Sequence, residues 1–265
     1  MTAVIRGENR RSALWLTLNR PEAMNGIDSA VVDGIGNALD GAAADPNVRA
    51  VVIAAAGPVF CAGADLKYLH ALAAAPPEEA RSRQDAFVGA VSALFTRIET
   101  FGKPVIAAVG GLAVAGGLEL VLACDLVVAA RAARFGDAHA NFGLLPAGGA
   151  SARLPRRVGS ATAKYLMFTG QTLTADQLAT TDLVTLLVDD GQLERAVEDV
   201  VQQIAAKSSL GIATMKRLIA QAADAPLEAS LRAELTALGQ YAQSHDFTEG
   251  LAAFVAKRTP EFIGR

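Results

Sequence analysis

A lone glutamate in an apolar run is the residue of this chain most in need of a chemical explanation. Between positions 104 and 130 the only formally charged side chains are Glu119 and Asp125, and Glu119 closely follows the pair Gly116-Gly117. Burying an unpaired carboxylate is costly, so it needs a partner or a function. Adjacent glycines after a strand let the backbone turn sharply and let a ligand approach the main chain. If a helix starts there, its free N–H groups can bind developing negative charge. The competing reading is a packing turn, with Glu119 a first-turn acid favoured by the helix dipole. Taken alone, the segment leaves both open.

Two further segments carry reactive or ligand-shaping residues. Phe60-Cys61-Ala62-Gly63-Ala64-Asp65-Leu66-Lys67 crowds small residues into a turn, with Asp65 placed as a cap for the next element. Phe135-Gly136-Asp137-Ala138-His139, then Gly143-Leu144-Leu145-Pro146-Ala147-Gly148-Gly149, is a glycine-rich loop bearing a histidine. The imidazole's unperturbed pKa of about 6.5 suits proton transfer near neutrality; a purely structural histidine is the alternative. No nucleophile motif accompanies His139 for serine-hydrolase chemistry. The other histidines, His70 and His245, fall in a loop and a surface helix on this reading.

The elements that must position these residues can be read from periodicity. Strands are expected at 14–18, 48–54, 104–109, 126–130 and 183–188. Asp28 can cap a helix with Val31, Ile35 and Leu39 on one face. The Ala-rich stretch around Pro76-Pro77 reads as a mobile loop. A helix over 78–100 comes next, with Phe87, Val91, Leu94, Phe95 and Ile98 forming its stripe. After Gly117 the sequence is apolar nearly all round, as in a helix buried on every side. Ser160 is placed to cap a helix ending at Gly170, and Thr174 to cap another. From 192 on the pattern is helical, beginning with Leu193, Val197, Val200, Val201 and Ile204. Mixed strands and helices to 191, then helices alone over 192–265, imply an α/β core with a C-terminal helical region. No internal sequence repeat is visible.

Bulk composition bounds the rest. With 52 % hydrophobic and 19 % charged residues, the chain fills a globular core. A net charge of −3, from 24 basic and 27 acidic residues, gives no sign of nucleic-acid binding. Cys61 and Cys124 lack metal-ligand spacing and read as buried free thiols in a reducing compartment. The run 104–130 could in length span a bilayer, but its glycine pairs and two carboxylates argue against that. The first 21 residues lack the unbroken apolar core of a signal peptide. A soluble, cytoplasmic protein is expected.

Together, NRPEAMNGI at 19–27, FCAGADLK at 60–67, KPVIAAVGG with AGGLELVLACD at 103–125, FGDAHANFGLLPAGGASARLPRRVG at 135–159 and LAAFVAKRTPEF at 251–262 resemble the enoyl-CoA hydratase/isomerase (crotonase) superfamily. The resemblance implies a spiral of ββα units followed by a helical trimerisation region, with trimers that can pair into hexamers. It implies an acyl-CoA thioester substrate, an enolate held in an oxyanion hole, and no metal or cofactor beyond CoA itself. The oxyanion donors would be the backbone N–H groups of Ala64 and Gly116. Ala62, Ala64, Asp65, Leu66 and Gly116 would line the CoA path, with Phe254 and Lys257 contributed by a neighbouring subunit. Glu119 stands where the family has its first catalytic glutamate, and His139 stands where typical hydratases have the second. Hydration of a trans-2-enoyl-CoA with His139 as substituted proton carrier is the leading expectation. Isomerisation, thioester hydrolysis and non-catalytic acyl-CoA binding remain alternatives.

Overall fold

Apolar strands separated by glycine- and proline-bearing turns can stack into layers only if both sheet faces are covered. A computed structural model describes residues 3–265 and has that arrangement. Six strands, numbered in chain order with the others, form the main sheet: β1 (Ile5–Arg10), β2 (Ala13–Leu18), β3 (Ala50–Ala55), β5 (Val105–Val109), β7 (Leu126–Ala130) and β10 (Leu186–Val188). From β2 to β10 neighbouring strands run parallel, and β1 closes one edge as an antiparallel hairpin partner of β2. A smaller sheet takes β4 (Val59–Cys61), β6 (Leu112–Val114), β8 (Arg134–Gly136) and β9 (Leu173–Thr174). Successive strand pairs β3/β4, β5/β6 and β7/β8 thus each give one strand to each sheet. That is the expected ββα spiral, a repeat of structure without a repeat of sequence.

The helices are α1 (Ser29–Ala44), α2 (Leu66–Ala73), α3 (Pro77–Thr100), α4 (Gly116–Leu122), α5 (Ala150–Val158), α6 (Ser160–Thr169), α7 (Ala175–Leu178), α8 (Leu193–Ala205), α9 (Ser209–Ala222), α10 (Leu227–Tyr241) and α11 (His245–Ala256). One face of the main sheet, with Leu16, Leu18, Val51 and Ile53, packs in the larger core with α1, α3 and α4. Every residue of α4 is buried, as its all-round apolar sequence predicts. The opposite face, with Trp15, Val52, Ile106 and Val128, is covered by Val197 and Val201 of α8. Helix α8 therefore lies on the core sheet, although its sequence joins the helical C-terminal region. The helices that do not cover a sheet face begin at α9, which is tied to the end of the sheet by Lys216, 2.7 Å from Asp125 beside β7.

Other expectations need adjusting. The stretch read as a mobile loop begins with α2, an ordered helix capped by Asp65, whose carboxylate accepts the N–H groups of Lys67 and Tyr68. None of its residues is fully buried, and its apolar side chains Tyr68, Leu69 and Leu72 pack only partly buried against the larger core. Ser160 does not cap α6; Gly159, at φ +78°, is the capping residue and Ser160 is already in the first turn. Thr174 does cap α7, in a reciprocal capping box with Gln177. Both cysteines are free and buried. Among the described residues no helix is long and apolar enough to cross a membrane.

Candidate active site

The segment after β4 and the start of α4 are pressed together by missing side chains. A Cβ on Gly117 would stand 2.1 Å from the carbonyl oxygen of Cys61, so only glycine lets α4 approach β4 this closely. A Cβ on Gly63, itself at φ +93°, would meet the backbone nitrogen of Gly116 at 2.8 Å. Ala115, just before the helix, is held at φ +50° and ψ −124°, a conformation costly for a residue with a Cβ. Such strain concentrates where backbone atoms must be aimed.

Two backbone amides lie at this spot. Gly116 opens α4, and the first N–H groups of a helix have no intrahelical acceptor. Ala64 sits in an isolated parallel bridge with Ile27, whose two hydrogen bonds run from Ile27 N–H to Gly63 and from Asp65 N–H to Ile27. The Ala64 N–H takes no part in that bridge. A Cβ on Gly116 would lie 3.4 Å from the Ala64 nitrogen, so the two amides occupy one small region.

The motif at 19–27 anchors this region from behind. The Arg20 guanidinium pairs with Asp28 at 2.8 Å and Asp65 at 2.9 Å, and donates to the Gly26 carbonyl at 2.7 Å. Ala62 N–H donates to the Met24 carbonyl. Burial works against the Asp65 carboxylate, but the Tyr68 N–H and Arg20 hold its pKa below the usual range. The Asp65 side chain, expected on the CoA path, is thus occupied by its cap and its ion pair. Ala62, Ala64 and Leu66 stand on the same segment, with Leu66 exposed.

One helical turn beyond Gly116, Glu119 is only 3 % exposed. Its Oε1 accepts the N–H groups of Gly148 at 2.7 Å and Ala150 at 3.0 Å. The glycine-rich loop thereby serves as a carboxylate clamp, and Arg153 steadies it by donating to the Gly148 carbonyl. The free oxygen, Oε2, faces Nε2 of His139 at 3.9 Å. Nδ1 of the same ring lies 3.1 Å from Oδ1 of Asp137, an ion-pair distance without an aligned hydrogen bond. Burial pushes the Glu119 carboxyl above its ordinary range, with Ala150 N–H, His139 and Gly148 N–H pulling it only part of the way back. For His139, burial opposes the cation, but Asp137 and then Glu119 outweigh it and raise the pKa above 6.5.

The fold therefore brings Glu119, His139, Ala64 and Gly116 together and adds Asp137, a residue with no role in the sequence reading. An aspartate two residues before a histidine in a glycine-rich loop was the available signal; it reads equally well as a turn residue. Phe254 and Lys257 lie elsewhere, at the exposed end of α11, where Phe254 is 84 % exposed.

The sequence profile of the enoyl-CoA hydratase/isomerase family matches residues 8–265, with this site inside it. The chain belongs to the enoyl-CoA hydratase/isomerase family. Among its relatives, the 2,3-dehydroadipyl-CoA hydratase of Escherichia coli (strain K12) is 35 % identical over 257 residues, 97 % of each chain. A crystal structure of an enoyl-CoA hydratase from Polaromonas sp. JS666 superposes with a TM-score of 0.92 at 34 % identity, covering 97 % of this chain and 99 % of that one. An enoyl-CoA hydratase from Bacillus anthracis gives 0.91 at 31 % identity, over 99 % and 100 %. The family's mixed α/β crotonase fold is the spiral described above, and membership makes the protein an enzyme of acyl-CoA chemistry.

Proposed function

We propose that the protein adds water across the double bond of a trans-2-enoyl-CoA thioester. The observation that carries this reading is the facing pair, Glu119 Oε2 and His139 Nε2, one helical turn from two unengaged backbone donors. The thioester oxygen binds the N–H groups of Ala64 and Gly116. As charge moves onto that oxygen, two fixed donors stabilise it; losing one such donor costs about 3–4 kcal/mol of barrier. Glu119, as carboxylate, takes a proton from water while the water oxygen attacks C3. His139, as imidazolium, gives its Nε2 proton to C2 of the enolate. Glu119 then returns its proton to His139, and the net change is one water added to one double bond.

The relatives named for hydration of enoyl-CoA and 2,3-dehydroadipyl-CoA support the substrate class. The reaction calls for no cofactor beyond the CoA carried by the substrate. Ala62, Ala64 and Leu66 line the path to the hole. The chain works in the cytoplasm as a homotrimer or a pair of trimers, with Phe254 and Lys257 reaching a neighbour's CoA.

Mixing the enzyme with crotonyl-CoA and longer homologues tests this directly, because hydration removes the absorbance of the conjugated thioester. Release of free CoA thiol instead would indicate a hydrolase. No turnover at any chain length, with tight acyl-CoA binding by calorimetry, would make the protein a binding homologue.

A further inference from the structure

We propose that Asp137 is a positioning residue: it holds the His139 ring with a proton on Nδ1, so that Nε2 is the nitrogen offered to Glu119 and substrate. Asp137 follows β8 and is only 1 % exposed. The chain arrives there tightly fixed, since a Cβ on Gly136 would stand 2.7 Å from the Gln171 carbonyl oxygen. Ala138 then takes a left-handed conformation, φ +58°, which folds His139 back over Asp137. Nδ1 comes to 3.1 Å from Oδ1, and the backbone N–H of His139 reaches the same oxygen at 3.4 Å.

A turn-forming role alone does not account for this. A turn aspartate is usually solvated, and the amide contact at 3.4 Å is weak. Here Oδ2 and the His139 Nδ1 facing Oδ1 are both buried with no aligned hydrogen-bond partner among the described residues, an arrangement that costs free energy unless a nearby cation or function compensates. The compensating group in reach is the imidazole. Among the described residues the charged groups facing His139 are Asp137 from its own loop and Glu119 from α4. With one carboxylate at each nitrogen, the ring is favoured as the cation. When it loses a proton, Asp137 favours retention at Nδ1 and departure from Nε2. Proton transfer at C2 requires that order.

The assignment of the departing proton to C2 rests on the hydratase reading, but the Asp137–His139 coupling does not. The test therefore reads the coupling by itself. In the full-length protein, nitrogen chemical shifts of His139 give its tautomer and titration; Asp137→Asn, nearly isosteric, removes the carboxylate. The wild-type neutral ring should carry its proton on Nδ1, and the variant's titration midpoint should fall. With crotonyl-CoA, kcat should drop about 100-fold, with the alkaline limb of kcat/KM moving to lower pH and KM nearly unchanged. In a His139→Ala background, Asp137→Asn should cost nothing further. An unmoved His139 midpoint, an additive double variant, or a wild-type neutral ring protonated on Nε2 each overturns the proposal. The last is measurable even if Asp137→Asn does not fold or no enoyl-CoA is turned over.

Discussion

Oε2 of Glu119 and Nε2 of His139 face each other across 3.9 Å. The gap is too long for a direct hydrogen bond and admits one oxygen atom about 2.8 Å from each. Hydration by this pair needs Glu119 ionised and His139 protonated. The raised Glu119 pKa puts the acid limb of kcat/KM above 4.5, and the raised His139 pKa puts its alkaline limb above 6.5. Because the two groups interact, the limbs belong to the pair. A kcat/KM profile against pH with crotonyl-CoA should therefore be a bell. An alkaline limb at or below 6.5 would contradict an imidazolium donor.

Glu119→Gln separates activity from stability. Glutamine keeps an oxygen for the Gly148 and Ala150 N–H groups but cannot take water's proton, so kcat should fall about 1,000-fold. Stability should move the other way. The folded-state pKa of Glu119 is raised, so its stabilising contribution is complete below 4.5 and is lost as pH rises through the folded value. At neutral pH the buried carboxylate is then destabilising, and its removal should raise the melting temperature. Below pH 4.5 the two proteins should converge. A lower melting temperature for the variant at neutral pH would show that the clamp needs the charge.

Much of this site was legible because glycines, caps and apolar stripes act locally. The buried helix after Gly117, the stripe on α3 and the Asp65 cap all report nearest-neighbour geometry. The three-residue strands β4, β6 and β8 were not legible, since a strand that short has no alternation to display. Polar β1 was missed for a related reason: as an exposed hairpin edge it has no buried face to pattern. The Arg20 bridge to Asp28 and Asp65, the Gly148 clamp on Glu119 and the Asp137 contact join residues through folded space or ambiguous turns. Residue types suggested participants there, and only the fold supplied the pairings.

The exposed apolar side chains of the C-terminal helices predict assembly. Ile219 on α9, Leu227 and Leu235 on α10, and Phe254 and Val255 on α11 are each at least 70 % exposed. So many large apolar side chains left bare on the C-terminal helices call for a covering partner. Light scattering at micromolar concentration should give the mass of a trimer or hexamer. Lys257→Ala should raise KM for crotonyl-CoA while leaving a pantetheine thioester lacking the nucleotide unaffected. A monomeric mass, or an equal effect on both thioesters, would remove Lys257 from a neighbour's CoA site.

Adding one methyl group at two glycines should have opposite effects. At Gly117 a Cβ would stand 2.1 Å from the Cys61 carbonyl oxygen and 2.8 Å from the Cys61 Cβ, both at the end of β4 just before the Ala64 segment. Relief requires α4 to move away from β4, carrying Gly116 and Glu119 with it. Overpacking of this kind costs about 1–3 kcal/mol, and kcat should fall as the donors lose their aim. At Gly89, exposed in α3, a Cβ meets nothing within 4 Å, and alanine there should stabilise by about 0.5–1 kcal/mol through helix propensity. Urea unfolding midpoints should move down for Gly117→Ala and up for Gly89→Ala, with kcat unchanged in the latter. A Gly117→Ala protein with native stability and rate would mean that α4 does not need its close approach to β4.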